Sequence, residues 1–246
     1  MNAHEYALAL GDDALIASQR LSEWVTKAPS LEEEVALANI ALDLLGQARA
    51  LLAYAGEPNG LDEDAMAYRR APEEYRCAHL VERQIGDFAV TTARLLVFSA
   101  YQYELYTHLS ASTDPLLAGV AGKAVKEVAY HRDHAAQWTL RLGDGTESSN
   151  RRMQNGLYVV WPDVAELFAP RRELAPLIDA GIAVDPAALT AQWTTFVMAI
   201  LAQAGLDEPG VAPAPGGGRD GVHTPEFADL HVEMTSLHLA HPGASW

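Results

Sequence analysis

The sequence predicts an all-α protein. Apolar residues recur at helical spacing along nearly the whole chain, and no stretch shows sustained alternation of β-branched residues between turns. Hydrophobic residues make up 49% and charged residues 20% of the 246 residues, which is the composition of a globular protein. We therefore expect long helices that pack their apolar faces together. The length would permit one large domain or two small ones, and we predict a single domain over residues 1–246.

The helices can be placed in order from their breakers and caps. The first is expected near 4–27, because Pro29 disfavours helix at the residue before it. Ser30 and Glu33 form a capping-box pattern that begins the second, which ends near Gly56. A third unit is expected over 72–86 and 87–110, and Asp114 opens a fourth helix that ends at the turn over 143–145.

The C-terminal third combines helices with one low-complexity segment. Further helices are expected near 151–168, 186–206 and 225–240. The segment Gly210–Gly221, "GVAPAPGGGRDG", is too rich in proline and glycine to order itself. It is therefore predicted to be an exposed loop.

Charge and cysteine content exclude several classes of function. The chain has 33 acidic against 17 basic residues, a net charge of −16, which repels phosphate backbones and anionic lipid. We expect neither nucleic-acid nor membrane binding.

Cys77 is the only cysteine, so it cannot form an internal disulfide and is predicted to be a small buried apolar residue. The N-terminus lacks the basic start of a signal peptide, and a cytoplasmic location is expected.

The second helix carries a line of polar residues. Its sequence, "VALANIALDLLGQARALLAYA", is apolar on nearly every side, so we expect burial over most of its circumference. Asn39, Asp43 and Gln47 follow each other at a spacing of four. Because a buried carboxylate without partners is costly, Asp43 is predicted to face other polar groups.

The third unit and the fourth helix carry acid–histidine pairs at the same spacing. His131 lies in an apolar stripe with Glu127 one turn before it, and this pair is predicted to be either structural or metal-ligating. Glu104 and His108 are four residues apart and are predicted to be a solvated surface pair.

These features resemble the outline of a di-iron bundle. Ferritin-like di-iron proteins take one Glu from each of two helices and a Glu-x-x-His motif from each of the other two. None of the nine histidines has a Glu three residues earlier. Three residues after Asp43, where the motif requires a histidine, the sequence has Gly46, and three residues after Glu127 it has Tyr130. The outline of a di-iron bundle is therefore present in the sequence, and its full ligand set is not.

Several stretches carry a resemblance to a known family. They are "LGDD", "SQRLSEW", "APSLEEEVALANIALDLLGQAR", "DFAVTTAR", "KAVKEVAYH", "RLGDGTESS", "GIAVDP" and "EMTSLHLAHPGASW". The chain resembles the C subunits of the bacterial phenylacetyl-CoA 1,2-epoxidases, the multicomponent oxygenases of phenylacetate degradation. The similar stretches run from residue 10 to the C-terminus, and "LANIALDLLGQAR" is the most specific of them.

The resemblance implies a ferritin-like four-helix bundle with additional C-terminal helices. It implies a non-catalytic subunit that pairs with a catalytic A subunit, which holds the di-iron centre and the acyl-CoA. The E subunit, a reductase, would supply electrons through NADPH, FAD and an iron–sulfur cluster, and a small B subunit completes the complex. No cofactor is expected in this chain, and no catalytic, cofactor-binding or metal-binding residue. The resemblance implies that the positions matching the di-iron pattern only in part are vestigial: Asp43, Gly46, Glu127, Tyr130 and His131.

Other functions stay open on the sequence alone. One is a divergent iron oxygenase with its own metal site, using Asp43, Glu104, Glu127 and His131. A weaker one is acyl-CoA binding by the Arg-Arg pairs at 69–70, 151–152 and 171–172, although solvated surface is the simpler interpretation. A homodimer is a further option. Four tryptophans are candidate interface anchors, with core packing as the alternative: Trp24, Trp161, Trp193 and Trp246.

Overall fold

The computed structural model describes residues 1–244 and confirms the all-α prediction. Ten α-helices follow each other along the chain, joined by loops and short 3₁₀ segments, and no β-strand occurs within residues 1–244. The helices are α1 (Ala3–Ser22), α2 (Leu31–Gly56), α3 (Glu63–Tyr68), α4 (His79–Glu82), α5 (Phe88–Leu109), α6 (Pro115–Gly143), α7 (Glu147–Val160), α8 (Ala175–Asp179), α9 (Thr190–Gln203) and α10 (Pro225–Ala240).

Several helix ends follow directly from the sequence. Asp114 caps α6, since its Oδ1 accepts hydrogen bonds from the backbone N–H groups of Leu116 and Leu117, both at 3.0 Å. Asp87 caps α5 in the same way. The first helix ends at Ser22 rather than near residue 27, because the chain continues through turns before Pro29.

The chain divides into two compact units. The first comprises residues 1–27, 32–84 and the chain from 216 onward, and contains α1, α2, α3, α4 and α10. Within it the Ser18 hydroxyl of α1 donates to the backbone carbonyl of Ala41 in α2 at 2.7 Å. A Cβ at Gly11 would lie 3.0 Å from Leu52, so the small residue lets α1 and α2 approach closely.

The second unit comprises residues 28–31 and 85–215 and contains α5 to α9. A Cβ at Gly156 in α7 would lie 2.7 Å from the carbonyl oxygen of Ala89 in α5, so a glycine is required where these two helices touch. The indole N–H of Trp193 in α9 donates to the Val97 carbonyl at 2.9 Å. This hydrogen bond fixes α9 against α5.

Three of the four tryptophans considered as interface anchors lie within the described residues. Trp24 and Trp193 are buried, which confirms core packing for both. Trp161 is partly exposed and lies against Trp193, with 5.9 Å between ring centroids. Trp246 lies outside the described residues.

Helix α2 is less buried than the predicted burial over most of its circumference. Val35 is 53% exposed and Leu42 is 64% exposed, and Asn39 between them is also exposed. The same helix is long and apolar enough to cross a membrane by length and composition, a test that core helices of soluble proteins also pass. The apolar sequence of α2 therefore did not predict which of its faces are buried within this chain.

The predicted exposed loop Gly210–Gly221 is corrected over its second half. Residues 210–215 are largely exposed. Gly218, however, is buried, and a Cβ there would overlap the backbone carbonyl oxygen of Cys77. Glycine serves here as the residue that permits close approach, in addition to marking a turn. The prediction of one domain over residues 1–246 stays a prediction.

Candidate functional site

The three polar residues spaced by four on α2 differ in burial, from an exposed position to a buried one. Asn39 is exposed, Asp43 is half-buried and Gln47 is buried. A spacing of four residues advances about 40° around a helix with 3.6 residues per turn, so three such positions do not share one face fully. Gly46 is exposed, and a Cβ there would meet nothing within 4 Å. The position offers no donor atom to a metal.

The α6 positions are likewise divided between core and solvent. His131 is fully buried, whereas the neighbouring Tyr130 is 53% exposed. The Glu127 carboxylate lies 3.4 Å from the ammonium of Lys123, one turn earlier on the same helix. Tyr130 therefore lies on the solvent side of α6 and does not replace the imidazole of a Glu-x-x-His motif. The residues present do not fit the di-iron ligand pattern.

The predicted surface pair of Glu104 and His108 is wrong in its partners. The His108 ring nitrogen Nδ1 lies 2.8 Å from the backbone carbonyl oxygen of Glu104, not from its carboxylate. The carboxylate instead lies 3.8 Å from the guanidinium of Arg132, which stacks 3.5 Å above the Tyr103 ring. The charged partner of Glu104 therefore comes from α6, whereas the sequence spacing had predicted His108, on the same helix as Glu104.

The first unit contains a buried charge network that the sequence analysis missed. Asp12 is fully buried and accepts two hydrogen bonds from the guanidinium of Arg70, at 2.5 and 2.9 Å, and one from the backbone N–H of Arg76. Asp13 accepts from the N–H of Ala78 at 2.9 Å and from the guanidinium of Arg219 at 2.5 Å. Two adjacent carboxylates of α1 thus bind two separate chain segments.

Glu82 forms the second centre of this network. The His223 ring nitrogen Nδ1 lies 2.6 Å from its Oε1, and the backbone N–H of Thr224 donates to its Oε2 at 2.8 Å. Burial alone would raise the pKa of Glu82, but the hydrogen bonds from His223 and Thr224 outweigh it and hold the pKa below its ordinary value. Glu82 is therefore a buried carboxylate that ties the chain after Gly221 to α4.

The same cluster contains the donor types of a metal site. Cys77 Sγ, a carboxylate oxygen of Glu82 and a ring nitrogen of His223 lie within 4.8 Å of one another. Their contacts are nevertheless hydrogen bonds, because Nδ1 and Oε1 are 2.6 Å apart and the thiol lies 3.6 Å from the same oxygen. Burial raises the pKa of the Cys77 thiol well above its ordinary value, which disfavours the thiolate that a metal requires.

These residues form what we call the Asp-Glu clasp: Asp12, Asp13, Arg70, Glu82, Arg219 and His223. Arg70, predicted as solvated surface, is instead buried and ion-paired, which corrects that interpretation. The available signal was the Asp-Asp pair inside the apolar sequence of α1, since buried carboxylates require partners. Arg219 and His223 gave no such signal, because Arg219 lies within the segment Gly210–Gly221, which was predicted to be an exposed loop, and His223 lies two residues after it. The predicted burial of Cys77 is confirmed.

Comparisons with known proteins agree over the whole chain. The family model described as "Phenylacetic acid catabolic protein" matches residues 1–246. The chain is 43% identical over 242 residues to the C subunit of the 1,2-phenylacetyl-CoA epoxidase of Escherichia coli (strain K12), covering 98% of each protein. The predicted class, an all-α ferritin-like bundle with additional C-terminal helices, is confirmed. From the match of its full length, the chain belongs to the phenylacetic acid catabolic protein family.

Proposed function

We propose that this chain is a non-catalytic structural subunit of a phenylacetyl-CoA 1,2-epoxidase, which inserts one oxygen atom of O2 into the aromatic ring of phenylacetyl-CoA. In this proposal the chain pairs with the catalytic A subunit and stabilises it. The proposal is carried by the 43% identity, over 98% of both chains, to a protein named as the C subunit of that epoxidase.

The vestigial positions support a role without catalysis. Gly46 has no side-chain donor, and the 53% exposure of Tyr130 places its phenol on the solvent side of α6. Glu127 is close to Lys123, as expected for a structural carboxylate. The chain therefore offers fragments of a ligand pattern on separate helices and no complete Glu-x-x-His motif.

The cofactors of the reaction belong, in this proposal, to other subunits. The di-iron centre would lie in the A subunit, and NADPH, FAD and an iron–sulfur cluster would serve the E subunit, which is the reductase. A small B subunit would complete the complex in the cytoplasm. This chain would contribute by stabilising the A subunit. A protein that binds only the folded form of the A subunit shifts the folding equilibrium of the A subunit toward that form.

A reconstituted complex tests this role. Glu127→Gln, and Glu127→Ala combined with His131→Ala, should leave turnover per assembled complex within about threefold of wild type, since no transition-state interaction is removed. Assembly is measured on the same samples by size-exclusion chromatography with light scattering. Activity that falls only in step with assembly supports the structural role. A large loss of turnover in a fully assembled Glu127→Gln complex would show that this chain has its own reactive site.

A further inference from the structure

Helix α2 exposes an unusual face in the first unit. From Val35 onward its exposed positions are Val35, Asn39, Leu42, Gly46 and Arg49, which we call the α2 face. They follow each other at spacings of four, three, four and three residues, the spacing of positions a and d in a helix–helix seam. At 1.5 Å per residue the face extends about 21 Å along the helix. This length suits a partner helix.

The composition of this face distinguishes it from an ordinary solvated helix surface. Helix α6 also has an outer face with similar spacing, formed by Gly122, Lys126, Tyr130, Asp133 and Gln137, and that face is largely polar. On α2, Val35 and Leu42 instead leave more than half of their surface to solvent. Branched apolar side chains exposed in a seam pattern are typical of a surface that another helix covers.

A cavity adjoins the α2 face. It has a volume of about 260 Å³ and is lined by α1, α2 and α3, with Leu15, Ala48 and Leu52 among its apolar residues. This volume is below the range of about 300–1,000 Å³ that is typical of small-molecule pockets. Leu45 and Arg49 belong to the cavity lining, and Arg49 also belongs to the α2 face. The cavity is therefore suited to one large side chain of a partner helix.

Charge around the face specifies the chemistry of that partner. Three acidic residues of α2 keep part of their surface exposed, against Arg49 as its one basic residue: Glu32, Glu34 and Asp43. At the cavity, Arg49 is ion-paired with Glu63 at 2.9 Å, and Asp64 adds a further negative charge. A complementary helix would present an apolar seam, one large apolar side chain and flanking lysine or arginine residues.

Gly46 supplies an independent observation. A glycine inside a helix is less favourable than alanine by roughly 0.5–1 kcal/mol, and no atom within 4 Å of a Cβ at this position requires the glycine. Within the chain the glycine has no packing role. In a seam, a missing side chain permits another backbone to approach closely.

We infer that the α2 face, with its adjoining cavity, is the surface on which a helix of the catalytic A subunit docks. This inference rests on the proposed function, since it assigns the place where the A subunit would bind. The apolar seam supplies affinity, Asn39 sets the register, and the acidic surroundings select a basic partner helix.

Binding of the full-length chain to the purified A subunit tests the assignment. Leu42→Glu and Val35→Glu place a charge in the seam and should weaken the dissociation constant about 30-fold or more, as at an interface hot spot. Val159→Glu is the matched control, because Val159 on α7 is 51% exposed against 53% for Val35. It should change the dissociation constant by about threefold or less. Calorimetry measures binding, and circular dichroism verifies that each variant is folded.

Glycine variants give a second, independent readout. Gly46→Ala should raise the thermal midpoint of the lone chain by about 2–4 °C, since helix propensity improves without a clash. Gly46→Leu should weaken binding to the A subunit about 30-fold or more, whereas Gly122→Leu on α6, also at an open exposed position, should not.

The outcomes separate the two proposals. If wild type binds the A subunit and Leu42→Glu binds equally well, the α2 face is not the docking surface, while the proposed function stands. If folded wild type does not bind the A subunit at all, both proposals fail. If the lone chain forms a dimer, or binds lipid vesicles, and Leu42→Glu abolishes that association but not A-subunit binding, the α2 face serves a different occupant and the assignment is overturned.

Discussion

Replacing Glu82 with glutamine tests whether the Asp-Glu clasp stabilises the first unit. Glu82 is fully buried and accepts hydrogen bonds from His223 and from the Thr224 backbone. Glutamine keeps nearly the same shape but replaces one acceptor oxygen with a donor. A buried donor left unsatisfied costs about 1–3 kcal/mol, and charge-assisted bonds are roughly twice as strong as neutral ones. We therefore expect Glu82→Gln to lower the free energy of unfolding by about 2–4 kcal/mol.

The pH dependence of this loss follows from the pKa of Glu82. Because the pKa is held below its ordinary value in the folded state, the carboxylate stabilises the fold above the unfolded pKa. That contribution is lost as pH falls through the ordinary glutamate pKa of 4.5 and then through the lower folded value. The difference between wild type and Glu82→Gln should therefore be constant near neutral pH and shrink as pH falls through 4.5 and below.

Urea titrations followed by circular dichroism measure both effects. Glu147→Gln is the control, since Glu147 forms an exposed pair with Arg151 at 3.6 Å and its loss should change the free energy of unfolding by about 0.5 kcal/mol or less. A Glu82→Gln decrease no larger than that of the control, or a difference that does not shrink at low pH, would refute this account of the clasp.

Three further substitutions test other contacts. Asp12→Asn should lower the free energy of unfolding by about 3–5 kcal/mol in urea titrations, because it leaves the buried Arg70 charge uncompensated, and a change below about 1 kcal/mol contradicts this. Gly218→Ala should destabilise by about 1–3 kcal/mol and accelerate proteolysis within 210–221, since its Cβ overlaps the Cys77 carbonyl; unchanged cleavage would argue against a docked segment. Trp193→Phe should lower the free energy of unfolding by about 1–3 kcal/mol through loss of the hydrogen bond to the Val97 carbonyl, and with it the thermal unfolding midpoint; an unchanged midpoint excludes that role.

Helical periodicity predicted the fold well because it is a local property of the sequence. The caps at Asp87 and Asp114 act within their own first turns, so their positions could be identified directly. The burial of α2 was overestimated. The sequence of an apolar helix does not distinguish a face that packs against the rest of the chain from one that stays exposed. The positions interpreted as vestigial were chosen from the residue types at fixed spacing, which needs no tertiary information, and that interpretation stays a prediction.

The clasp was not predicted, because its partners are distant in sequence. Asp12 and Asp13 are acids within an apolar helix sequence, but their partners Arg70 and Arg219 lie 58 and 206 residues away. The Gly210–Gly221 segment was predicted to be exposed from composition. Composition measures the cost of ordering a segment, and it does not include the ion pair of Arg219 with Asp13 and the close approach at Gly218 that offset this cost.

The central claim, that this chain supports a catalytic partner and has no iron centre of its own, is tested most directly by iron content. The chain is purified alone and together with the A subunit, and iron is measured against oxygenase activity. We predict that the lone chain is inactive and iron-free, and that the co-purified pair contains iron in proportion to its A subunit. About one or two irons in the lone chain, with the spectroscopic signature of a coupled centre, would contradict the claim.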